Sequence, residues 1–238
     1  MAERIRIQKA IAKAGLMSRR AAEEAMVEGR VMLNGRPVIL GDRVDPDHDV
    51  LTLDGAPIPL SEDLETHLLN KPSGVISTAG DPQGRQTVVD LVPSDKRLYP
   101  VGRLDADSEG LILLSNDGEL TNRVTHPRFG VAKTYLAEVE GKVTPAIVRR
   151  LVEGVELDDG MAKAESAHEI DVQAGKSLIE LVMVEGRNRE VRRMMDALGH
   201  PVTRLVRTAI GGLSDARLRP GESRRLTASD IRLILTGK

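Results

Sequence analysis

"VGRLDADSEGLILLSNDGEL", residues 101–120, places a carboxylate-bearing polar turn directly before an apolar run. Its spacing predicts an extended approach ending at Asp105, a turn, a buried strand over residues 111–114, and a change of direction at Asn116-Asp117-Gly118. On either side strands outnumber helices without alternating with them. Upstream, "THLLNKPSGVIST" and "RLYPVGRLD" read as extended, with "TVVDLV" a short helical turn between them. Downstream, "AKTYLAEVEG", "SLIELVMVEG" and "PVTRLVR" read as strands. Helices are signalled by "TPAIVRRLVEG", with Thr144 as cap and Pro145 at the first position, by "NREVRRMMDALG", and by "TASDIRLIL", where Thr227 and Asp230 stand at capping-box spacing. This irregular order predicts an α+β domain with a largely antiparallel mixed sheet over residues 65–238.

Before it, "IRIQKAIAKAG" sets Ile7, Ala10, Ile11 and Ala14 on one helical stripe, and "SRRAAEEAMVEG" offers Ser18 as N-cap with Ala22, Ala25 and Met26 as its buried side. "RVMLNGRPV" turns at Asn34-Gly35, and "DVLTLDG" ends at Asp54-Gly55. Residues 1–60 therefore read as a small ααβ unit, joined through "APIPLSED" to the larger α+β domain.

Composition removes several function classes. The 238 residues contain no Cys, so disulfides, a thiolate nucleophile and Cys-ligated zinc are excluded. The five His lack metal-ligand spacing, and a metal site is not expected. With no Trp, one Phe and two Tyr, an aromatic platform for single-stranded nucleic acid is excluded. No apolar run reaches the roughly 20 residues of a membrane span, and "MAERIRIQKA" lacks the apolar core of a signal peptide. A soluble, reducing, intracellular protein is expected.

The net charge of −2 hides an uneven distribution. Residues 1–36 hold eight Lys or Arg against four Glu, and residues 185–207 six Arg against three acids. Two separated basic clusters suggest either a polyanion-binding face or solvated charge. Arg19 and Arg20 open a helix, where cations cost about 0.3–1 kcal/mol each. An anionic ligand would offset that cost, and solvent screening would tolerate it.

No P-loop is present, since "GDPQGRQT" lacks the Gly-Lys-Ser/Thr ending, and no Gly-x-Ser-x-Gly elbow occurs. Asp105 itself has two readings. It is a turn residue whose carboxylate bonds to backbone amides, or a reactive carboxylate at a strand's end.

Two resemblances bear on that choice. "RIQKAIAKAGLMSRRAAEEAMVEGRVMLNGRPV" with "GDRV" and "DVLTLDG" resembles the small RNA-binding domain named after ribosomal protein S four. "GRLDADSEGLILLSNDGEL", "LLNKPSGVIST", "DPQGRQTVVDLVP", "HPRFGVAKTYLAEVEG" and "EGRNREVRRMMDALGHPVTRLVRTAIGGL" together resemble the RsuA-like group of rRNA pseudouridine synthases, in that group's order. Ser108 stands where the group more often has Thr, and the scarcity of Phe and Tyr is unusual for it.

The resemblance implies an isomerase that detaches uridine at nitrogen 1, turns it, and rejoins it through carbon 5, with no cofactor and no metal. It implies Asp105 as the essential carboxylate, acting as nucleophile or as base, and Arg192 as the cation that keeps it ionised. The alternative for Arg192 is a helix pair with Asp196. Tyr135 is implied to pack on the target base, against the alternative of an ordinary strand aromatic. Arg103 is implied to occupy the gap left by the flipped base or to hold the displaced base, against the alternative of a structural salt bridge. Lys9, Lys13, Arg19 and Arg20 become phosphate-contact candidates in the first domain, as do Lys71, Arg85, Lys133, Arg187, Arg189 and Arg193 in the second.

The wording "EGRNREVRRM" resembles the large-subunit, RluB-like branch, so the expected partner is 23S rRNA, free or in a ribosomal assembly intermediate. The chain is expected to act as a cytoplasmic monomer without a membrane partner. Small-subunit 16S rRNA, a non-catalytic rRNA-binding or assembly factor, and an N-glycosidase are the rival readings.

Overall fold

Asn34 and Gly35 both take positive φ (51° and 79°), as do Asp54 and Gly55 (51° and 81°). This is the backbone that a two-residue hairpin turn matched to strand twist requires. In the computed structural model, which describes residues 4–46, 48–58, 60 and 64–237, these turns organise a four-stranded sheet. Its strands run in the order Arg36–Pro37, Val31–Leu33, Leu51–Leu53, Ala56–Pro57. The helices Ile7–Lys13 and Arg19–Val27 accompany it. Ser18 caps the second helix by accepting from the Ala21 N–H at 3.1 Å. The stripe Ile7, Ala10, Ile11 packs with Ala22, Ala25, Met26, Val31, Val44 and Leu51 into one small core.

The chain divides into two compact units: Met1–Glu65 with Ser94–Leu98 and Asn116–Gly118, and Thr66–Pro93 with Tyr99–Ser115 and Glu119–Lys238. The larger is built on a mixed sheet, and the fold is α+β as expected. Among the described residues the strands run Ser166–Gln173, Lys176–Met183, Lys133–Glu140, Val202–Ile210, Glu109–Ser115, Thr66–Lys71, Ser223–Arg225, with Leu213–Ser214 and Tyr99–Val101 added at the side. Every pairing is antiparallel except Val202–Ile210 with Glu109–Ser115.

The burial of each strand follows its sequence. Glu109–Ser115 is buried at every position but the first, as its apolar run implies, whereas Lys176–Met183 alternates buried side chains with exposed Lys176 and half-buried ones after it. One core joins the alternating strands to the helices Pro145–Glu153 and Glu190–Ala197, whose Val191, Met194 and Met195 face inward. A second joins Leu68, Leu111 and Leu113 to Leu120 and Val124 of the helix Gly118–Thr125 and Ile234 of the helix Ala228–Thr236.

This parallel strand pairing is short, Val206 opposite Glu109 and Arg207 opposite Gly110. It needs a residue without a side chain. A Cβ on Gly110, at φ 104°, would lie 2.2 Å from the Arg207 carbonyl oxygen and 2.6 Å from its nitrogen. Gly110 thus lets the two parts of the sheet meet just after the turn that carries Asp105.

Three elements depart from the sequence reading. Asn116-Asp117-Gly118 starts the helix Gly118–Thr125, which the polar composition of "ELTNRVT" concealed. Ser166–Gln173 is an edge strand with mostly exposed side chains, so it carries little apolar signal. Thr144 stands at the N-cap position without its side chain accepting a hydrogen bond, whereas Thr227 and Asp230 form the expected capping box.

Candidate active site

Asp105 lies on a loop whose backbone is held at four consecutive carbonyls. Leu104 O accepts from the Ser77 hydroxyl at 2.7 Å, and Asp105 O from the Ser108 N–H at 3.0 Å. Ala106 O accepts from the Gly74 N–H at 2.7 Å and from the Lys71 ammonium at 3.3 Å. Asp107 O accepts from Arg192 Nη2 at 3.0 Å. A loop so completely hydrogen-bonded has little freedom left, which is the condition for fixing a reactive side chain. The Asp105 carboxylate remains 25% exposed, with Arg189 Nη1 at 3.6 Å from Oδ2.

In front of it opens a cleft of about 590 Å³ lined by Asp105, Arg103, Tyr135, Lys133, Arg189 and Arg207 among others. Apolar contributions to its wall come from Val101, Leu104, Met183, Val191 and Leu205. Tyr135 stands in the strand Lys133–Glu140, opposite Leu181 on one side and Arg207 on the other. Its hydroxyl receives a long contact from Arg207 Nη1 at 3.5 Å. The wall is more apolar than polar by area, and it also carries five cations, Arg103, Lys133, Arg187, Arg189 and Arg207, a combination suited to a planar base attached to an anionic backbone.

Comparison with known proteins fits this arrangement. Residues 65–197 match the family model described as RNA pseudouridylate synthase, and residues 5–50 match the S4 domain. The chain belongs to the RNA pseudouridylate synthase family. A protein named as an uncharacterized RNA pseudouridine synthase of Mycobacterium leprae is 48% identical over 233 residues, covering 96% of this chain and 91% of that one. The ribosomal large subunit pseudouridine synthase B of Bacillus subtilis is 41% identical over 231 residues, covering 95% and 94%. A solved structure, described as a crystal structure of pseudouridylate synthase, superposes with a TM-score of 0.68 at 29% identity and covers 97% of this chain and 99% of that one.

Within this pseudouridine synthase fold, Asp105, Tyr135 and Arg103 line one cleft, as does Lys133. Arg103 is exposed and makes no ion pair among the described residues, so the structural salt bridge is not what holds it. Other expectations need correction. Arg192 makes no ion pair with Asp105. It is buried, and besides Asp107 O it reaches Asp107 Oδ2 at 3.3 Å and Val202 O at 3.1 Å. The cation beside Asp105 is Arg189, which also forks onto Asp107 at 3.1 and 3.2 Å. Arg189 takes a left-handed backbone (φ 49°) at the start of the helix, a conformation costing a non-glycine residue about 1 kcal/mol or more. The Arg189 fork holds the Asp107 carboxyl below the usual range, with Arg192 adding to the effect.

Lys71 is not a phosphate contact. It is fully buried, and its ammonium donates to Pro72 O at 2.9 Å and Val75 O at 2.7 Å as well as to Ala106 O. Burial pushes it down to about 8, against the attraction of nearby Asp107 and Glu109. Arg85 is spent on its own loop, forking onto Asp81 at 2.7 and 3.0 Å. Arg187 pairs with Glu185 and donates to Gly160 O and Met161 O, while Arg193 pairs with Asp159 at 2.9 Å. The later basic cluster is therefore largely an internal network that ties the helix Glu190–Ala197 to the hairpin at residues 155–162.

In the other unit, Arg19 and Arg20 are exposed at a helix start that has no acid in its first turn, and Lys9 and Lys13 are half-buried. Lys133 is half-buried too. It donates to Val124 O at 2.9 Å, and burial, with Arg207 second, pushes it down to about 8.

Among the described residues no helix is long and apolar enough to cross a membrane.

Proposed function

We propose that this chain isomerises one uridine of 23S rRNA to pseudouridine, acting as a monomer in the cytoplasm on free rRNA or an assembling subunit. The observation that carries the reading is Asp105: an accessible carboxylate on a loop locked at four carbonyls, facing a cleft that also holds Tyr135. The large-subunit assignment rests on the naming of the Bacillus subtilis relative.

Asp105 acts at the anomeric carbon as nucleophile, or removes a sugar proton, while Tyr135 packs on the detached base. Arg189 supplies the positive charge beside Asp105, and Lys71 and Arg192 hold the loop from behind. Arg103 stands at the cleft where a flipped nucleotide enters, leaving its stack at a cost of a few kcal/mol. Residues 1–60 dock on RNA through Arg19 and Arg20, with Lys9 and Lys13 beside them, and residues 65–238 carry the chemistry.

The test is pseudouridine mapping in rRNA from cells lacking the protein, complemented with wild type or with Asp105→Asn. Restoration of a missing 23S site by wild type and not by the variant is the expected result. Restoration by both would refute the role of Asp105, and a missing site in 16S rRNA would reassign the substrate.

A further inference from the structure

Val202–Ile210 carries a charged residue where its neighbours demand an apolar one. Arg207 is 5% exposed, in the same buried strand row as Leu205, and lies between Gly110 on one side and Tyr135 on the other. Its Nε donates to Leu111 O at 2.6 Å, and its Nη1 makes only the long contact to the Tyr135 hydroxyl. Nη2 is buried without any hydrogen-bond partner, in a residue that lines the cleft. A buried donor left unmet is costly, and a buried cation more so, unless something else meets it. Lys133, lining the same cleft, feels Arg207 as a repelling charge. Arg207 and Lys133 are thus two of the five cations that line the cleft, with Arg103, Arg187 and Arg189, while Asp105 stands on its loop.

We propose that Arg207 is a catalytic residue whose Nη2 donates to a carbonyl oxygen of the target uracil and stabilises the negative charge of the detached base. The inference rests on the pseudouridine synthase function proposed for this cleft. When the bond between the anomeric carbon and N1 breaks, its electron pair leaves with the base, which becomes an anion delocalised over N1 and the ring carbonyls. The sugar carbon is then satisfied by the Asp105 oxygen, or by loss of its neighbouring proton. On rejoining, the C5 π pair forms the new bond, the carboxylate departs or the proton returns, C5 gives up its proton, and N1 gains one.

Nη2 is sealed from solvent in this structure, so a small shift of the guanidinium brings it to the base, and a donor held at the accumulating charge lowers that barrier. A phosphate fits this place less well, because Arg207 is buried next to Tyr135, whereas Arg187 and Arg189 in the same cleft are more accessible to a phosphate.

Single-turnover rates of Arg207→Lys and Arg207→Gln on an rRNA transcript should fall about 10²–10³-fold, as when one oxyanion-hole donor is removed, with RNA affinity within threefold. On transcript carrying 5-fluorouridine, whose base leaves more readily as an anion, the deficit in bond cleavage should shrink at least tenfold. A rate within threefold of wild type, or an equal deficit on both RNAs, would overturn the inference while leaving Asp105 chemistry intact. An inactive wild type would remove the parent reading as well.

Should both variants melt early, a structure of the wild-type protein with the fluorinated RNA decides. Nη2 within about 3.2 Å of a uracil carbonyl supports the assignment. Nη2 on a phosphate, or on no ligand atom, overturns it.

Discussion

Replacing Gly110 by Ala tests whether the junction of the sheet supports the site. The added Cβ would stand 2.2 Å from the Arg207 carbonyl oxygen, 2.6 Å from its nitrogen and 2.9 Å from its carbonyl carbon. All three are backbone atoms, so no side-chain rotation relieves the overlap, and the strands must part by about 1 Å to restore ordinary contact. Holding Ala at φ 104° adds about 1–3 kcal/mol of strain. Parting the strands weakens the pairing of Val206 with Glu109 and of Arg207 with Gly110, about 0.5–1.5 kcal/mol for each hydrogen bond lost. The sum is about 2–6 kcal/mol, a large share of the 5–15 kcal/mol that holds a typical domain. At about 2–4 °C per kcal/mol for a unit of this size, the melting temperature should fall by roughly 4–24 °C.

Calorimetry or far-ultraviolet circular dichroism is the assay, since the chain has no Trp. Below its melting point the variant should also isomerise RNA at least tenfold more slowly, because the shift separates Arg207 from the Asp105 loop. A variant that melts within 2 °C of wild type and turns over normally would refute the claim that this close approach positions the site.

Lys71→Met should cost about 1–3 kcal/mol, because Pro72 O and Val75 O lose their ammonium donor. It should also lower turnover with unchanged RNA affinity, since Ala106 O, next to Asp105, loses one of two donors; normal kcat would show that the ammonium does not position Asp105. The same lysine predicts a pH signature. Its folded value, about 8, lies below the ordinary 10.5, so the burial penalty is full below about pH 8 and is relieved as pH rises from 8 towards 10.5. Wild type should therefore gain on Lys71→Met by up to about 3 kcal/mol across that window, read from urea midpoints, and a flat difference would refute the assignment. Arg19→Glu with Arg20→Glu should weaken rRNA binding and flatten its dependence on salt, leaving the stability of the catalytic unit alone. Unchanged affinity and slope would move the docking surface elsewhere.

Local backbone rules made much of the fold legible. Asn34-Gly35 marked a hairpin turn, Asp54-Gly55 proved to be another, and Thr227 with Asp230 marked a helix start, because each signal is contained within a few residues. The helix Gly118–Thr125 was missed because only Leu120 and Val124 show its apolar face. The cleft-lining residues Asp105, Tyr135 and Arg103 were legible through motif resemblance, whereas Arg207 was overlooked although a signal existed. Spaced two residues from Leu205 on a strand, it occupies the buried row, and a charged residue in that row asks for a partner.

The arginine cluster shows where sequence reasoning fails for a physical reason. Arg189, Arg193 and Arg204 meet acids 82, 34 and 95 residues away, Asp107, Asp159 and Glu109. A run of like charge reads as a polyanion-binding face until the fold returns distant carboxylates to it. What then distinguishes Arg207 is a buried donor left unmet in a residue that lines the cleft, while Arg187 and Arg193 direct their guanidinium groups onto the protein itself.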